Sequence, residues 1–216
     1  MTVRRAAPGH WFGAWAGVFG PLLFIATFTV EGWLRPGYDP RSMFVSALSL
    51  GPRGGIQIAN FIFSGTMIAL FAHQFRSECK IDKAWRFGTR LLSIIGVSLL
   101  ASGLFVMDPV TVPFTQMSRH SYLQYAFGIL VFTLAPISCF IFFSCFRADD
   151  RWRWFRWWTL AAGLIMTASV VALKSAMLPG PLHPYVGVVQ RVALIDYMVW
   201  LECLALAVAL KRSPTT

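Results

Sequence analysis

The chain has 216 residues, of which 56% are hydrophobic and only 13% are charged, and its mean hydropathy is +0.61. A soluble domain usually carries about 25% charged residues. A disordered chain is polar and poor in aromatic residues, whereas 15% of this chain is Phe, Trp or Tyr. These values exclude both classes and indicate an integral membrane protein. We expect a single membrane domain over residues 1–216, without a separate soluble domain.

The net charge of +10 predicts contact with anionic lipid rather than with nucleic acid. The basic residues lie in short segments between apolar runs, which is typical of topology signals and of sites that attract anionic lipids. We therefore expect membrane lipids as partners, including anionic lipids at the cytoplasmic face, and no nucleic acid. The basic and aromatic segment Arg151–Trp158 is either a specific anionic-lipid site or an ordinary interfacial anchor.

Six apolar segments are long enough to cross a bilayer, since a spanning helix needs about 20 largely apolar residues. They are Phe12–Val30, Gly55–Phe75, Arg90–Met107, Leu123–Phe146, Trp157–Leu178 and Val189–Leu210. The first could be a signal peptide, but no A-x-A-like cleavage site follows it in residues 27–34. The sequence therefore predicts an all-α, polytopic bundle of six transmembrane helices.

Lys and Arg are distributed unequally over the two sides that six spans define. With the N-terminus inside, thirteen of these residues lie in inner segments and six in outer loops or outer helix ends. The inner ones are Arg4, Arg5, Arg76, Lys80, Lys83, Arg86, Arg90, Arg147, Arg151, Arg153, Arg156, Lys211 and Arg212, and the outer ones are Arg35, Arg41, Arg53, Arg119, Lys174 and Arg191. Because cytoplasmic segments carry the excess, we expect a multi-pass protein of the cell membrane with both termini cytoplasmic.

The first outer loop predicts a short helix that does not cross the bilayer. Asp39, which precedes a proline, is typical of a helix start, and Gly51, which also precedes a proline, is typical of a stop. Serines recur between them at positions 42, 46 and 49, so they line one helical face. We expect an interfacial helix over residues 42–50, with this serine face turned to water or to a polar pocket.

Three polar residues of the outer loops are candidates for general acid–base catalysis. Asp39 lies in the first outer loop, and Asp108 and His120 flank the second. One histidine and two carboxylates are sufficient for acid–base chemistry if they converge on one outward-facing cavity. The alternative is structural, with Asp39 as a helix cap, Asp108 as part of a helix terminator and His120 as a capping or surface residue.

Ionisable residues within the spans are candidates for ligand binding. Lys174 lies about one turn below the outer end of the fifth helix and Asp196 about two turns down the sixth, where an unpaired charge is costly. We therefore expect an ion pair between them, with Arg191 as the other possible partner of the carboxylate. Glu202 lies deeper, without an obvious cation, and Asn60 completes a polar seam with Gln57. The alternative for the whole set is a purely structural network.

Several short motifs follow one another along the chain. They are Arg35-Pro-Gly-Tyr-Asp39, Val45-Ser-x-Leu-Ser-x-Gly51, Gln57-x-x-Asn-Phe61, Asp108-Pro109 and His120. This order resembles that of bacterial membrane proteins of the domain-of-unknown-function family 998. The resemblance implies a six-helix membrane domain and no catalytic assignment. Arg35, Tyr38 and Ser46 of the first loop join the candidates for ligand binding.

Two functions are consistent with this sequence. The first is a membrane-embedded enzyme acting on a lipid or isoprenoid-like substrate through the outward-facing acid–base residues. The second is a non-catalytic membrane protein (a small carrier, a lipid-binding module or an assembly partner) with the intramembrane ionisable residues as its polar core. A small apolar or lipid-like ligand fits both. The chain has no nucleotide-binding motif and no Cys/His spacing typical of a metal site, so we expect neither cofactor nor metal.

The topology can be tested with reporter fusions. A fluorescent reporter that matures only in the cytoplasm should be active when fused after Thr216, because the excess of Lys and Arg places that end inside. The same reporter fused after Gln116, in the second outer loop, should be inactive. A phosphatase reporter that works only outside should give the reverse pattern at both sites. Activity of the phosphatase after Thr216 would contradict the prediction.

Overall fold

The computed structural model describes residues 9–78, 83–109 and 111–210. They contain six long helices, α1 (Gly9–Leu34), α2 (Gly54–Phe75), α3 (Lys83–Leu104), α4 (Arg119–Ala148), α5 (Arg156–Ala176) and α6 (Val186–Leu210). Each of the six is long and apolar enough to cross a membrane, and the described residues include no β-strand. The predicted all-α bundle of six transmembrane helices is therefore confirmed. Its limits shift by a few residues, most of all in α3, which starts at Lys83 rather than at Arg90.

Successive helices run in opposite directions, so their connections lie alternately at two ends of the bundle. We call distal the end that carries residues 35–53, 105–118 and 177–185. We call proximal the end where α1 begins, α6 ends and residues 149–155 connect α4 to α5. Five of the basic residues counted for topology lie outside the described residues, namely Arg4, Arg5, Lys80, Lys211 and Arg212, and so does Cys79.

Glycines allow α2 and α3 to approach closely. A Cβ atom on Gly65 would lie 2.3 Å from the backbone nitrogen of Leu100 and 2.5 Å from the carbonyl oxygen of Gly96. A Cβ atom on Gly96 would in turn lie 2.7 Å from the backbone nitrogen of Ala69. The hydrophobic effect does not drive helices together within lipid. Helix association in a bilayer therefore relies on such close packing of small residues. Gly65 and Gly96 therefore set the distance between α2 and α3.

An aromatic core closes the proximal end. The Trp85 ring lies 4.6 Å from the Phe75 ring, and its indole N–H donates to the Phe75 carbonyl at 3.0 Å. The Trp152 ring packs on Phe146 at 5.3 Å and is buried. The segment predicted as an interfacial anchor therefore divides into two sets: Trp152 and Phe155 are buried, whereas Trp154, Trp157 and Trp158 are exposed.

The predicted short helix is present as a 3-10 helix over Val45–Ser49. It is shorter than expected because Phe44 has an extended backbone (φ −65°, ψ 150°) that separates the helix from the preceding turn. The predicted serine face does not form, since Ser42 in the turn is exposed whereas Ser49 is buried. The segment packs into the distal end of the bundle, with most of its side chains in the core.

Replacement of Gly65 by alanine should destabilise the bundle. The new Cβ atom would push α2 away from α3, and overpacking of this kind costs about 1–3 kcal/mol. The control is Gly55→Ala in the same helix, where a Cβ atom meets nothing within 4 Å. Thermal unfolding of the purified protein in detergent should show a lower midpoint for Gly65→Ala and an unchanged or slightly higher one for Gly55→Ala. Equal midpoints would contradict the close-packing interpretation.

Candidate ligand-binding cavity and the distal loop

The distal loop, residues 35–53, is held against the bundle by Arg191 of α6. The Arg191 guanidinium donates hydrogen bonds to the carbonyl oxygens of Pro40 at 2.6 Å and Met43 at 2.9 Å, and to the Tyr38 hydroxyl. It also donates to the Gly187 carbonyl at 3.0 Å within its own helix. Backbone oxygens therefore replace the water that would otherwise hydrate this charge.

The backbone of the distal loop lies directly on the first turns of α6. The Gln190 side-chain oxygen accepts from the Val45 N–H at 2.8 Å, and the Val188 N–H donates to the Arg41 carbonyl at 3.1 Å. A Cβ atom on Gly187 would lie 2.5 Å from the carbonyl oxygens of both Pro40 and Met43. Glycine is therefore required at position 187 for this close contact.

Two further arginines support the loop from its ends. The Arg35 guanidinium donates to the Ala47 carbonyl at 2.9 Å. Arg53 forms a two-point ion pair with the buried carboxylate of Glu31, at 2.6 and 3.0 Å. Tyr38 is buried, and its hydroxyl donates to the Phe44 carbonyl at 3.0 Å. The predicted binding residues Arg35 and Tyr38 thus have contacts within the loop itself.

Asp39 organises the turn that follows it. One carboxylate oxygen accepts from the Arg41 backbone N–H at 3.0 Å, and the other accepts from the Ser42 hydroxyl at 2.9 Å. The hydrogen bond from the Arg41 backbone, with that from Ser42, holds the pKa of Asp39 below its usual range. A general acid or base works best with a pKa near the working pH, so this environment favours the capping interpretation of Asp39.

Asp108 and His120 also have local contacts. The Asp108 carboxylate accepts from the backbone N–H of Ser118 at 2.6 Å and from the Ser118 hydroxyl at 2.9 Å. Ser118 in turn caps α4 through the Ser121 N–H. His120 is exposed, and its ring lies 5.6 Å from that of Phe105. Within the described residues, no hydrogen bond or ion pair joins any two of the three acid–base candidates.

A cavity of about 190 Å³ lies in the distal half of the bundle, between α4 and α5. In the proximal half these helices are in contact, because a Cβ atom on Gly163 would lie 3.1 Å from that of Cys139. Towards the distal end, residues of both helices line the cavity. Its walls come from α2, α3, α4, α5, α6 and the distal loop, and include Phe44, Ser46, Phe61, Leu99, Gly128, Ile129, Phe132, Val170, Leu173 and Leu194.

The cavity opens on the outer surface of the bundle, between exposed residues of the two helices. Ile129 and Thr133 of α4 lie on one side of the mouth, and Lys174 of α5 and Met177, which directly follows α5, lie on the other. Ile129 is 64% exposed, and the outward face of a spanning helix meets lipid. The mouth therefore faces the hydrocarbon region of the bilayer and its distal edge.

A few polar groups line the otherwise apolar cavity. Lys174 is exposed at the mouth and forms no ion pair with any described residue. Gln124 donates weakly to the Ser102 carbonyl at 3.5 Å, while its side-chain oxygen is buried without a hydrogen-bond partner. Gln190 also reaches the cavity, but its oxygen is bound to the distal loop. The arrangement suits an apolar chain with a polar or anionic head at the distal rim.

Residues 18–207 match the family described as "Protein of unknown function (DUF998)". The chain belongs to this family. The match extends from α1 to α6 and includes the distal loop and every wall of the cavity. No curated protein and no solved structure matches the chain.

In this DUF998 member the expected ion pair between Lys174 and Asp196 is not formed within the described structure. α6 begins at Val186, so Asp196 lies roughly 15 Å along it, whereas Lys174 lies only about 3 Å from the end of α5. One Asp196 carboxylate oxygen is buried without a hydrogen-bond partner. Arg191, the other expected partner, binds the distal loop instead, and Glu202 likewise forms no ion pair with a described residue.

In this DUF998 member Asn60 and Gln57, which were expected to complete a polar seam with the ionisable residues of the spans, lie together in α2. The Asn60 side-chain amide donates to the Phe24 carbonyl of α1 at 3.2 Å and to the Gln57 side-chain oxygen at 3.3 Å. The Ser64 hydroxyl donates to the Asn60 oxygen at 3.4 Å. Since these groups bind one another and the α1 backbone, Asn60 joins two helices and does not face the cavity.

Replacement of Arg191 by glutamine should release the distal loop. It removes the hydrogen bonds to Pro40 and Met43, and hydrogen bonds from a charged group contribute about 1.5–3 kcal/mol, so we expect a loss of about 3 kcal/mol. The control is Arg41→Gln, whose exposed side chain pairs with Asp39 at the surface and whose loss should leave the stability nearly unchanged. Chemical unfolding in detergent and limited trypsin cleavage at Arg53 measure both effects. Similar behaviour of the two variants would contradict the role of Arg191.

Proposed function

We propose that this protein is a non-catalytic lipid-binding module that holds a lipid or isoprenoid-like molecule in the cavity between α4 and α5. One observation carries the proposal: an apolar cavity opens on the outer surface of the bundle and has at its rim the cation of Lys174, which forms no ion pair with a described residue. Ligand pockets are concave and mostly apolar, with a few polar groups that fix the orientation of the ligand. An amphiphile would bury its chain in the cavity and place an anionic head beside Lys174.

The geometry supports binding better than catalysis. Asp39, Asp108 and His120 do not line this cavity, and each contacts its own loop. The ionisable side chains among the described lining residues are those of Lys174 and Tyr125, without a carboxylate or a histidine. General acid–base catalysis needs a suitable group within hydrogen-bond reach of the reacting atom. The enzyme hypothesis of the sequence therefore has less support than the non-catalytic one.

The excess of basic residues at the proximal end also suggests how the protein is oriented in the membrane. Cytoplasmic segments of membrane proteins are rich in Lys and Arg, so the proximal end with both termini would face the cytoplasm of a cell membrane. The distal end would then face outwards, and the cavity would open in the outer leaflet. Its ligand would be an outer-leaflet amphiphile.

The cavity can be blocked at Gly128, where a Cβ atom meets nothing within 4 Å. We expect Gly128→Trp to fill the cavity and to lower the affinity for labelled oleate at least about tenfold, since this removes the burial of several methylene groups. The control is Val171→Trp, on the exposed face of α5 and outside the cavity lining, which should leave the affinity unchanged. Binding is measured on the purified protein in phosphatidylcholine nanodiscs. Absence of saturable binding, or equal effects of the two variants, would reject the proposal.

The contribution of Lys174 can be measured with two ligands of the same chain length. Lys174→Met should weaken oleate binding about fivefold, because an exposed charge pair contributes about 1 kcal/mol. Binding of oleyl alcohol should be unchanged, since this ligand carries no charge. Lys83→Met, at the other end of the bundle, is the control for the loss of one positive charge. An equal loss of affinity for both ligands would exclude Lys174 as the headgroup contact.

A further inference from the structure

Two arginines at the proximal end are held on a stack of aromatic rings. The Arg147 guanidinium, at the end of α4, lies 5.6 Å from the centre of the Phe143 ring. The Arg156 guanidinium, at the start of α5, lies 5.1 Å from the centre of a Trp157 ring. The Phe143 and Trp157 rings lie 6.0 Å apart. The four side chains therefore form one continuous set across the junction of α4 and α5, which we call the proximal stack.

The charges of the proximal stack have no acidic partner in the part of the chain that the structure describes. The neighbouring arginines differ, since Arg151 pairs with Asp149 at 2.6 Å and Arg153 with Asp150 at 3.7 Å. The Arg156 Nε atom is buried and has no hydrogen-bond partner. Of the four arginines in this region, the two on aromatic rings are thus the ones without an acidic partner among the described residues, and Arg156 would bind an external anion through its terminal nitrogens rather than through the buried Nε atom.

The start of α5 adds to the attraction for an anion. α5 has 21 residues, and no side chain caps its first turn. The free N–H groups and the helix dipole at such a start favour negative charge. Arg156 is the first residue of this helix, so its guanidinium and these N–H groups lie in the same region.

The proximal stack lies at the level where a bilayer presents its headgroups. Trp154 and Trp157 beside it are 63% and 62% exposed, and exposed tryptophans of membrane proteins concentrate at the membrane–water interface. From this level an apolar exposed surface continues towards the distal end along both helices, through Phe140, Ile137 and Leu164. Acyl chains can lie on this surface while the headgroup contacts the arginines.

We propose that the proximal stack binds one anionic phospholipid through its phosphate, with the acyl chains along the outer surface of α4 and α5. A guanidinium matches a phosphate with two parallel hydrogen bonds, and stacking on a ring orients its planar fork. Two guanidiniums fit a headgroup with two phosphates better than one with a single phosphate. The site is separate from the distal cavity, and either one can exist without the other.

The test uses the full-length protein in phosphatidylcholine nanodiscs, titrated with anionic phospholipids that carry brominated acyl chains. Bromine quenches the fluorescence of nearby tryptophans, so the part of the quenching that is lost in Trp157→Phe reports binding beside Trp157. We expect tighter binding of cardiolipin, with two phosphates, than of phosphatidylglycerol. Arg147→Gln combined with Arg156→Gln should weaken cardiolipin binding at least about tenfold, because each basic residue near the surface contributes about a fivefold gain.

The matched control is Arg151→Gln combined with Arg153→Gln, which removes the same formal charge from the ion-paired arginines. It should change the cardiolipin affinity by less than about threefold, since those charges are already compensated. Equal losses in the two double variants would mean general attraction to charge and would overturn the proposal. Complete displacement of cardiolipin by millimolar inorganic phosphate would overturn it as well, because the site would then take free phosphate. Unchanged thermal midpoints in phosphatidylcholine confirm that the variants are folded.

Discussion

The distal half of this protein depends on how the charge of Arg191 is satisfied. A guanidinium at the edge of the membrane has lost much of its water and needs acceptors for its donors. Carbonyl oxygens of Pro40, Met43 and Gly187 supply them, and the Tyr38 ring lies 5.5 Å from the guanidinium carbon. This contact fixes the distal loop, and the loop contributes Phe44, Val45 and Ser46 to the wall of the cavity. Arg191 thus helps to position one wall of the cavity.

The spans could be predicted from the sequence, because the length and apolarity of a segment are local properties. The distal loop could be predicted only in part, since its conformation is set by a residue about 150 positions away. Asp39 does start a turn, as its position before a proline suggested. The carbonyls that would continue this turn as a helix are instead bound by Arg191 and Tyr38, which no local pattern reveals.

The candidate site was harder to predict, because spacing along a chain gives neither the depth nor the rotation of a helix. α6 begins three residues earlier than expected, and this places Asp196 too deep to meet Lys174. The cavity combines residues from most helices, and nearly all of them are ordinary apolar side chains. The sequence features that could have indicated the cavity are Gln124 and Gln190, two amide side chains within otherwise apolar segments. The three acid–base candidates lie at the same end of the bundle, but this does not bring them into contact.

The cavity lined by α4 and α5 reaches Lys174 at its distal edge, whereas the two helices are in contact at Gly163. A molecule that occupies it can enter by sideways diffusion within a single monolayer, without crossing the midplane and without any separation of the helices. The identity of the bound molecule would therefore depend only on which lipids that monolayer contains. In a bilayer whose two halves differ in lipid content, occupancy of this cavity would respond to the distal half and not to the proximal one.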